Sequence, residues 1–153
     1  MKPAITSFSG QYSFLSNFYL QRILYDGNWF PSVEHAFQSM KMLPAERVNS
    51  NINFRAFQSP SVTPGQAKRL GRKVTMRADW DEIRQIVMET LVSKKFDYMD
   101  LRALLIETSP AELIEGNTWN DTFWGVCNGV GENHLGKILM KRRDEIILSH
   151  VFR

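Results

Sequence analysis

The chain has 153 residues, 43% of them apolar and 23% charged, with 19 Lys and Arg against 16 Asp and Glu. That length suits one domain with a substantial core, and that balance excludes disorder as the main state. A net charge of +3 fits anionic ligands but is too weak to argue for nucleic acid by itself.

No apolar run reaches the roughly 18 residues of a membrane span, and the first residues form no apolar leader, so neither a span nor a secretory signal is expected. Cys127 is the one cysteine, which leaves no internal disulfide and suits a cytoplasmic setting.

Taken in chain order, residues 23–25 and 28–30 flank Asp26-Gly27, whose tolerance of positive φ predicts a two-residue hairpin. Ser32 is placed to cap a helix reaching Leu43, with Val33, Ala36, Phe37, Met40 and Leu43 in one stripe. Thr63-Pro64 reads as a cap followed by proline at the first helical position, with the exit at Gly71. Asp79 opens a helix to about Lys95 through Ile83, Ile86, Val87 and Leu91. Leu101, Leu104 and Leu105 mark another helix, and residues 109–112 spell a capping box just before Gly116. The last helix is expected from about His134 to Ser149. Between them, residues 116–133 hold four glycines, Trp119, Asp121 and Trp124, and a loop of that length inside a domain is usually functional. The predicted fold is one compact domain over 1–153, mostly α with a small N-terminal β-hairpin.

Chemistry-bearing residues gather in a few places. Glu34, Gln38 and Lys41 stand at i, i+4 and i+7, so a helix would present them on one side. Spacing alone also fits an ordinary solvated face. Lys68, Arg69, Arg72 and Lys73 form a basic run that could hold phosphate or simply face water. Residues 131–137 match G-x-x-x-x-G-K, but Ile138 stands where a P-loop needs Ser or Thr, and no strand precedes it. A helix N-terminus facing an anion stays open there. His35, His134 and His150 have no metal-site spacing, there is no G-x-S-x-G, and His35 reads as a packing residue. Trp80, Trp119 and Trp124 are flat enough to stack a heteroaromatic ring, and Trp80, between two aspartates at a helix start, looks least like core.

Several of these segments resemble one family, and in the right order. Phe14-Leu15-Ser16-Asn17-Phe18-Tyr19 is similar to the opening motif of the NADAR family. Residues 32–41, SVEHAFQSMK, look like its S-x-E-H-x-x-Q-x-x-K helix, and residues 67–72 like its A-x-x-x-G-R segment. Asp79-Trp80-Asp81 is similar to its Trp-centred helix start. Asp121-Thr122-Phe123-Trp124-Gly125 and the G-x-N-x-L-G pattern carrying Asn133 resemble its closing motifs. Residues 44–62 and 126–130 match none of them.

That resemblance implies an α-rich fold and an N-glycosidase without metal or other cofactor. Such an enzyme cleaves the C–N bond at a ribose anomeric carbon. The substrates implied are phosphorylated ribosylamino pyrimidines of riboflavin synthesis, or ADP-ribose on guanine in a nucleotide or nucleic acid. The partners expected are therefore ribosylated small molecules or nucleobases, and no membrane. The resemblance favours Lys41, with Glu34, as catalytic, and the charges such a cleavage develops make Asp121 the candidate partner. The candidates for substrate binding are Asn17, Phe18, Gln38, Lys68, Arg72, Trp80, Trp124, Gly125 and Asn133. Glu34 would handle protons near the sugar, with Asp121 as partner, while Lys41 could attack the anomeric carbon and form a Schiff base. Direct attack by water is the other route. A non-catalytic ADP-ribose reader would need the indoles and basic residues but not Glu34 with Lys41. A small interaction protein would use the aromatic N-terminus, and no nucleotide-like ligand would protect its fold thermally.

Overall fold

The computed structural model describes residues 2–151. The fold is α-rich with one two-stranded antiparallel sheet. The chain divides into two compact units, one from Asn17–Lys95 and one from the residues up to Ser16 with those from Phe96 onward. Among the described residues, no helix is long and apolar enough to cross a membrane.

In the Asn17–Lys95 unit, strands β1 (Leu20–Tyr25) and β2 (Asn28–Ser32) meet at Asp26 and Gly27, with φ of 53° and 77°. Both turn residues are left-handed, as a tight hairpin with native twist requires. The register pairs Ile23 with Phe30, both buried, and Leu24 with Trp29, both exposed. Helix α1 (Val33–Ser39) follows directly, capped by Ser32, whose hydroxyl accepts the His35 N–H. It stops four residues short of Leu43, because Met40 closes its last turn and Lys41 is held by a turn onto the Gln38 carbonyl.

Helix α2 (Ile52–Gln58) lies in the stretch that carries no recognisable motif, capped by Asn51 and anchored by buried Phe54 and Phe57. Helix α3 (Pro64–Gly71) has the expected Thr63 cap, completed into a capping box by Gln66. Helix α4 (Trp80–Lys95) has the expected bounds, and the Asp79 carboxylate takes a two-point bond from Arg77.

Helix α1 packs against α2, α3, α4 and both strands. All seven of its residues are buried, including Glu34, His35, Gln38 and Ser39. The solvated-face reading of Glu34 and Gln38 is therefore overturned: the helix is central, so it has no side that meets water. Trp80 is also core and not a rim residue, 5% exposed with its ring 5.0 Å from that of Phe37.

Lys95 is enclosed in the same unit, with its ammonium over the Tyr19 ring at 5.4 Å. Burial pushes its pKa from 10.5 down to about 7. Between those values the unfolded chain holds a proton that the native chain has released, so native stability rises with pH across that window. Chemical denaturation midpoints at pH 7 and about pH 9 are expected to show this rise in the wild type and to lose it in Lys95→Met. An equal rise in both proteins would contradict it.

In the other unit, α5 (Met99–Glu107) and α6 (His134–Val151) appear as expected. The capping-box sequence at residues 109–112 starts no helix. The Glu112 carbonyl instead accepts the Ile5 N–H and the Ile5 carbonyl accepts Ile114 N–H, which draws the segment out in extended form. Arg143, buried on α6, donates to the Thr108 hydroxyl and the Ala111 carbonyl and pins that segment.

Candidate active site

The polar side chains of α1 are fixed by one another. Ser32 Oγ lies 2.7 Å from His35 Nδ1, and His35 Nε2 lies 2.6 Å from the Val62 carbonyl. A carbonyl only accepts, so Nε2 carries the proton and Nδ1 accepts from the serine. Burial lowers the His35 pKa, against the Val62 bond, and the imidazole stays neutral. This histidine is a structural post for the helix, as its place beside Glu34 suggested.

Glu34 and Gln38 sit one helical turn apart, and Gln38 Nε2 donates to Glu34 Oε1 at 2.8 Å. The Glu34 backbone N–H donates to the Asn17 carbonyl. A carboxylate enclosed on a central helix is costly unless something holds it, which makes it a strong functional candidate.

Lys41 stands just past the end of α1, its backbone pinned by the Gln38 carbonyl and the Arg77 N–H. Its pKa is lowered chiefly by burial. The Glu34 charge opposes that shift, and Arg72, Lys68 and Arg84 reinforce it. One acid and three cations therefore share the field around this amine, within one unit.

The remaining expected residues of this unit take varied places. Asn17 Nδ2 approaches Met88 Sδ at 3.5 Å. Phe18 is 43% exposed. Lys68 lies on α3 and Arg72 closes it. Arg84, which no sequence motif marks, lies on α4. It follows Trp80 by four residues on α4, so the same helix face carries both, and that spacing was the available signal.

Asp121, Trp124, Gly125 and Asn133 belong to the other unit and order its long loop. Asp121 Oδ1 accepts the N–H groups of Phe123 and Trp124 at 3.1 and 2.9 Å. Trp124 meets Phe123 edge-on, with ring centres 4.8 Å apart. Asn133, left-handed at φ 55°, clamps the Glu115 N–H and the Leu113 carbonyl. A Cβ on Gly125 would stand 2.2 Å from the Glu115 carbonyl oxygen, so glycine is there for clearance. Asn128-Gly129 makes a second left-handed turn, between Cys127 and Val130. The anion reading of the α6 N-terminus is overturned: the Asn133, His134 and Leu135 N–H groups already donate to the carbonyls of Gly125, Phe123 and Trp124. Trp119 is 58% exposed. Among the described residues, no three His, Cys, Asp or Glu side chains gather as a metal site would need.

Comparison with known proteins bears on the whole chain. The family model of the NADAR domain matches residues 6–147. N-glycosidase YbiA of Shigella flexneri serotype 5b is 38% identical over 156 residues, covering 97% of this chain and 92% of that protein. A riboflavin biosynthesis protein of Vibrio vulnificus is 34% identical over 139 residues, covering 88% of this chain and 36% of that protein. The NMR structure of the E. coli protein YbiA matches with a TM-score of 0.81 and 32% identity, covering 98% of this chain and 87% of that one.

Proposed function

The chain belongs to the NADAR family, and we propose that it is an N-glycosidase that hydrolyses the bond between a ribose anomeric carbon and a nitrogen on a phosphorylated riboside. The observation that carries this reading is the pairing of buried Glu34 with a Lys41 whose amine is pushed toward neutrality.

The mechanism follows from the charges that develop. Breaking the C–N bond puts positive charge on the sugar and negative charge on the departing nitrogen. Lys41 and Glu34 need one proton between them: the amine must be free to attack, and the acid must hold the proton for the leaving group. Lys41 Nζ bonds to the anomeric carbon as the C–N bond breaks, and the departing nitrogen takes the Glu34 proton. Glu34, now a carboxylate, takes a proton from Nζ and passes it to the ring oxygen as that oxygen leaves the same carbon. A protonated imine joins Lys41 to the opened ribose. Water adds to the imine carbon and gives a proton to Glu34. Collapse of that adduct expels the amine and frees the sugar. Arg72, Lys68 and Arg84 supply the positive field for a substrate phosphate and add to burial in lowering the pKa of the amine. The proposed scheme draws on one unit alone.

Among phosphorylated ribosides, a ribosylamino pyrimidine phosphate leads, because a relative spanning 88% of this chain carries a riboflavin-biosynthesis name. The test is a panel of that compound and an oligonucleotide bearing ADP-ribosyl guanine, with free base followed by chromatography. Release of base from the pyrimidine riboside is expected. Release from neither substrate would contradict the N-glycosidase reading, and release from the oligonucleotide alone would contradict the substrate assignment.

A further inference from the structure

Gly71 ends α3 without a left-handed φ, so backbone conformation gives no reason for glycine there. Its helical position is a poor one for glycine on propensity grounds. Space gives the reason. A Cβ at this position would stand 1.9 Å from Gln38 Oε1 and 2.8 Å from Gln38 Cδ. Contacts under 3.0 Å force something to move, and Gln38 has little freedom, because it is 4% exposed and bonded to Glu34.

The amide is oriented by its partner. Glu34 Oε1 accepts from Gln38 Nε2, and it can do so with the acid's proton on Oε2 or absent; the Gln38 oxygen then faces the other way, onto Gly71. That oxygen is buried and has no hydrogen-bond partner. An acceptor left so is normally disfavoured, and bare glycine is the surface that leaves it room without displacing it.

We propose that Gly71 is a positioning residue for Glu34: its missing side chain makes the seat for the Gln38 amide oxygen, and that seat aims the Gln38 N–H at the carboxylate. This rests on the reading of Glu34 as the reaction's acid. It adds that a residue on a different helix sets the acid's geometry and proton affinity through Gln38.

The test reads the Glu34 carboxyl directly, by 13C NMR titration, with the signal assigned from its absence in Glu34→Gln. No substrate is needed, so the outcome stands apart from the activity panel. A donor on a carboxylate favours its charged form, and losing that donor moves the titration midpoint up. Gly71→Ala and Gln38→Ala are each expected to raise the Glu34 midpoint, by roughly one unit. The double variant is expected to match Gln38→Ala, because removing the amide removes both contacts under 3.0 Å and leaves only the Cβ of residue 38, at 3.2 Å, to give by a few tenths of an ångström. With the pyrimidine riboside, both single variants are expected to lower kcat by a common factor of about ten to a hundred, because the Glu34 carboxyl is no longer aimed. Should Gly71→Ala fail to fold, the double variant is expected to restore folding, with the Gln38→Ala titration. A Glu34 midpoint unmoved in Gly71→Ala, effects that sum in the double variant, or a double variant that does not fold would overturn the proposal.

Discussion

Lys41→Arg is expected to abolish turnover, by on the order of a thousandfold or more, while the far-ultraviolet circular dichroism stays native. Arginine keeps a positive charge at the site, but its guanidinium does not lose its proton and cannot attack carbon. Lys41→Ala is expected to fail equally, which separates loss of the nucleophile from loss of charge. The pH profile gives a second reading. In the proposed scheme the pair works with one proton, so the rate against pH is expected to be bell-shaped. Its alkaline limb marks the loss of that last proton, and it lies below 10.5 because burial, Arg72, Lys68 and Arg84 all press the amine down. Arg84→Gln removes one of those cations and is expected to move the alkaline limb upward. A limb at or above 10.5, unmoved in that variant, would contradict the assignment of Lys41.

The second large effect falls on Glu34. Glu34→Gln is nearly the same size and still meets Gln38, yet it can neither give the leaving nitrogen a proton nor take one from Nζ. A loss of roughly a hundredfold to ten-thousandfold in kcat is expected for substrates whose nitrogen needs that proton. A substrate with a leaving group stable as an anion should lose far less, because it departs without help. Equal losses for both leaving groups, measured as kcat by steady-state assay, would place Glu34 in another role.

Most of the fold could be read locally. Asp26-Gly27 demanded left-handed backbone at two successive residues, which few turns other than a tight hairpin can use. Thr63-Pro64 and the apolar stripe beyond Asp79 marked α3 and α4 because caps and periodicity act over a few residues. The misses are of another kind. Whether Glu34 and Gln38 meet water depends on α2, α3, α4 and the hairpin enclosing α1, which no spacing within residues 32–41 can state. Trp80 looked peripheral between its aspartates, but Phe37, 43 residues earlier, takes it into the core. Helix α2 is seven residues long, and its signal, an Asn51 cap ahead of Phe54 and Phe57, was present but short. Gly71 read as a helix exit and Gly125 as a substrate-binding residue, yet each sits where another group comes too close for a side chain. Clearance of that kind depends on the approaching chain and cannot be seen in the glycine's own neighbourhood.

For Glu34, Gln38 and Lys41, the motif placed the residue types together, and burial explains why their chemistry differs from that of a surface helix. An amine with three cations near it and one acid beside it would be a poor surface lysine. Partly enclosed as it is, it is suited to give up its proton and form a bond to carbon.

In the proposed scheme Lys41 and the sugar become covalently linked. Wild-type protein is mixed with the ribosylamino pyrimidine phosphate, quenched with borohydride, digested and mapped by mass spectrometry. A reduced ribose phosphate adduct on the peptide carrying Lys41, absent from Lys41→Arg, is the expected result. Free base released at the full rate, with no adduct at Lys41, would contradict the account.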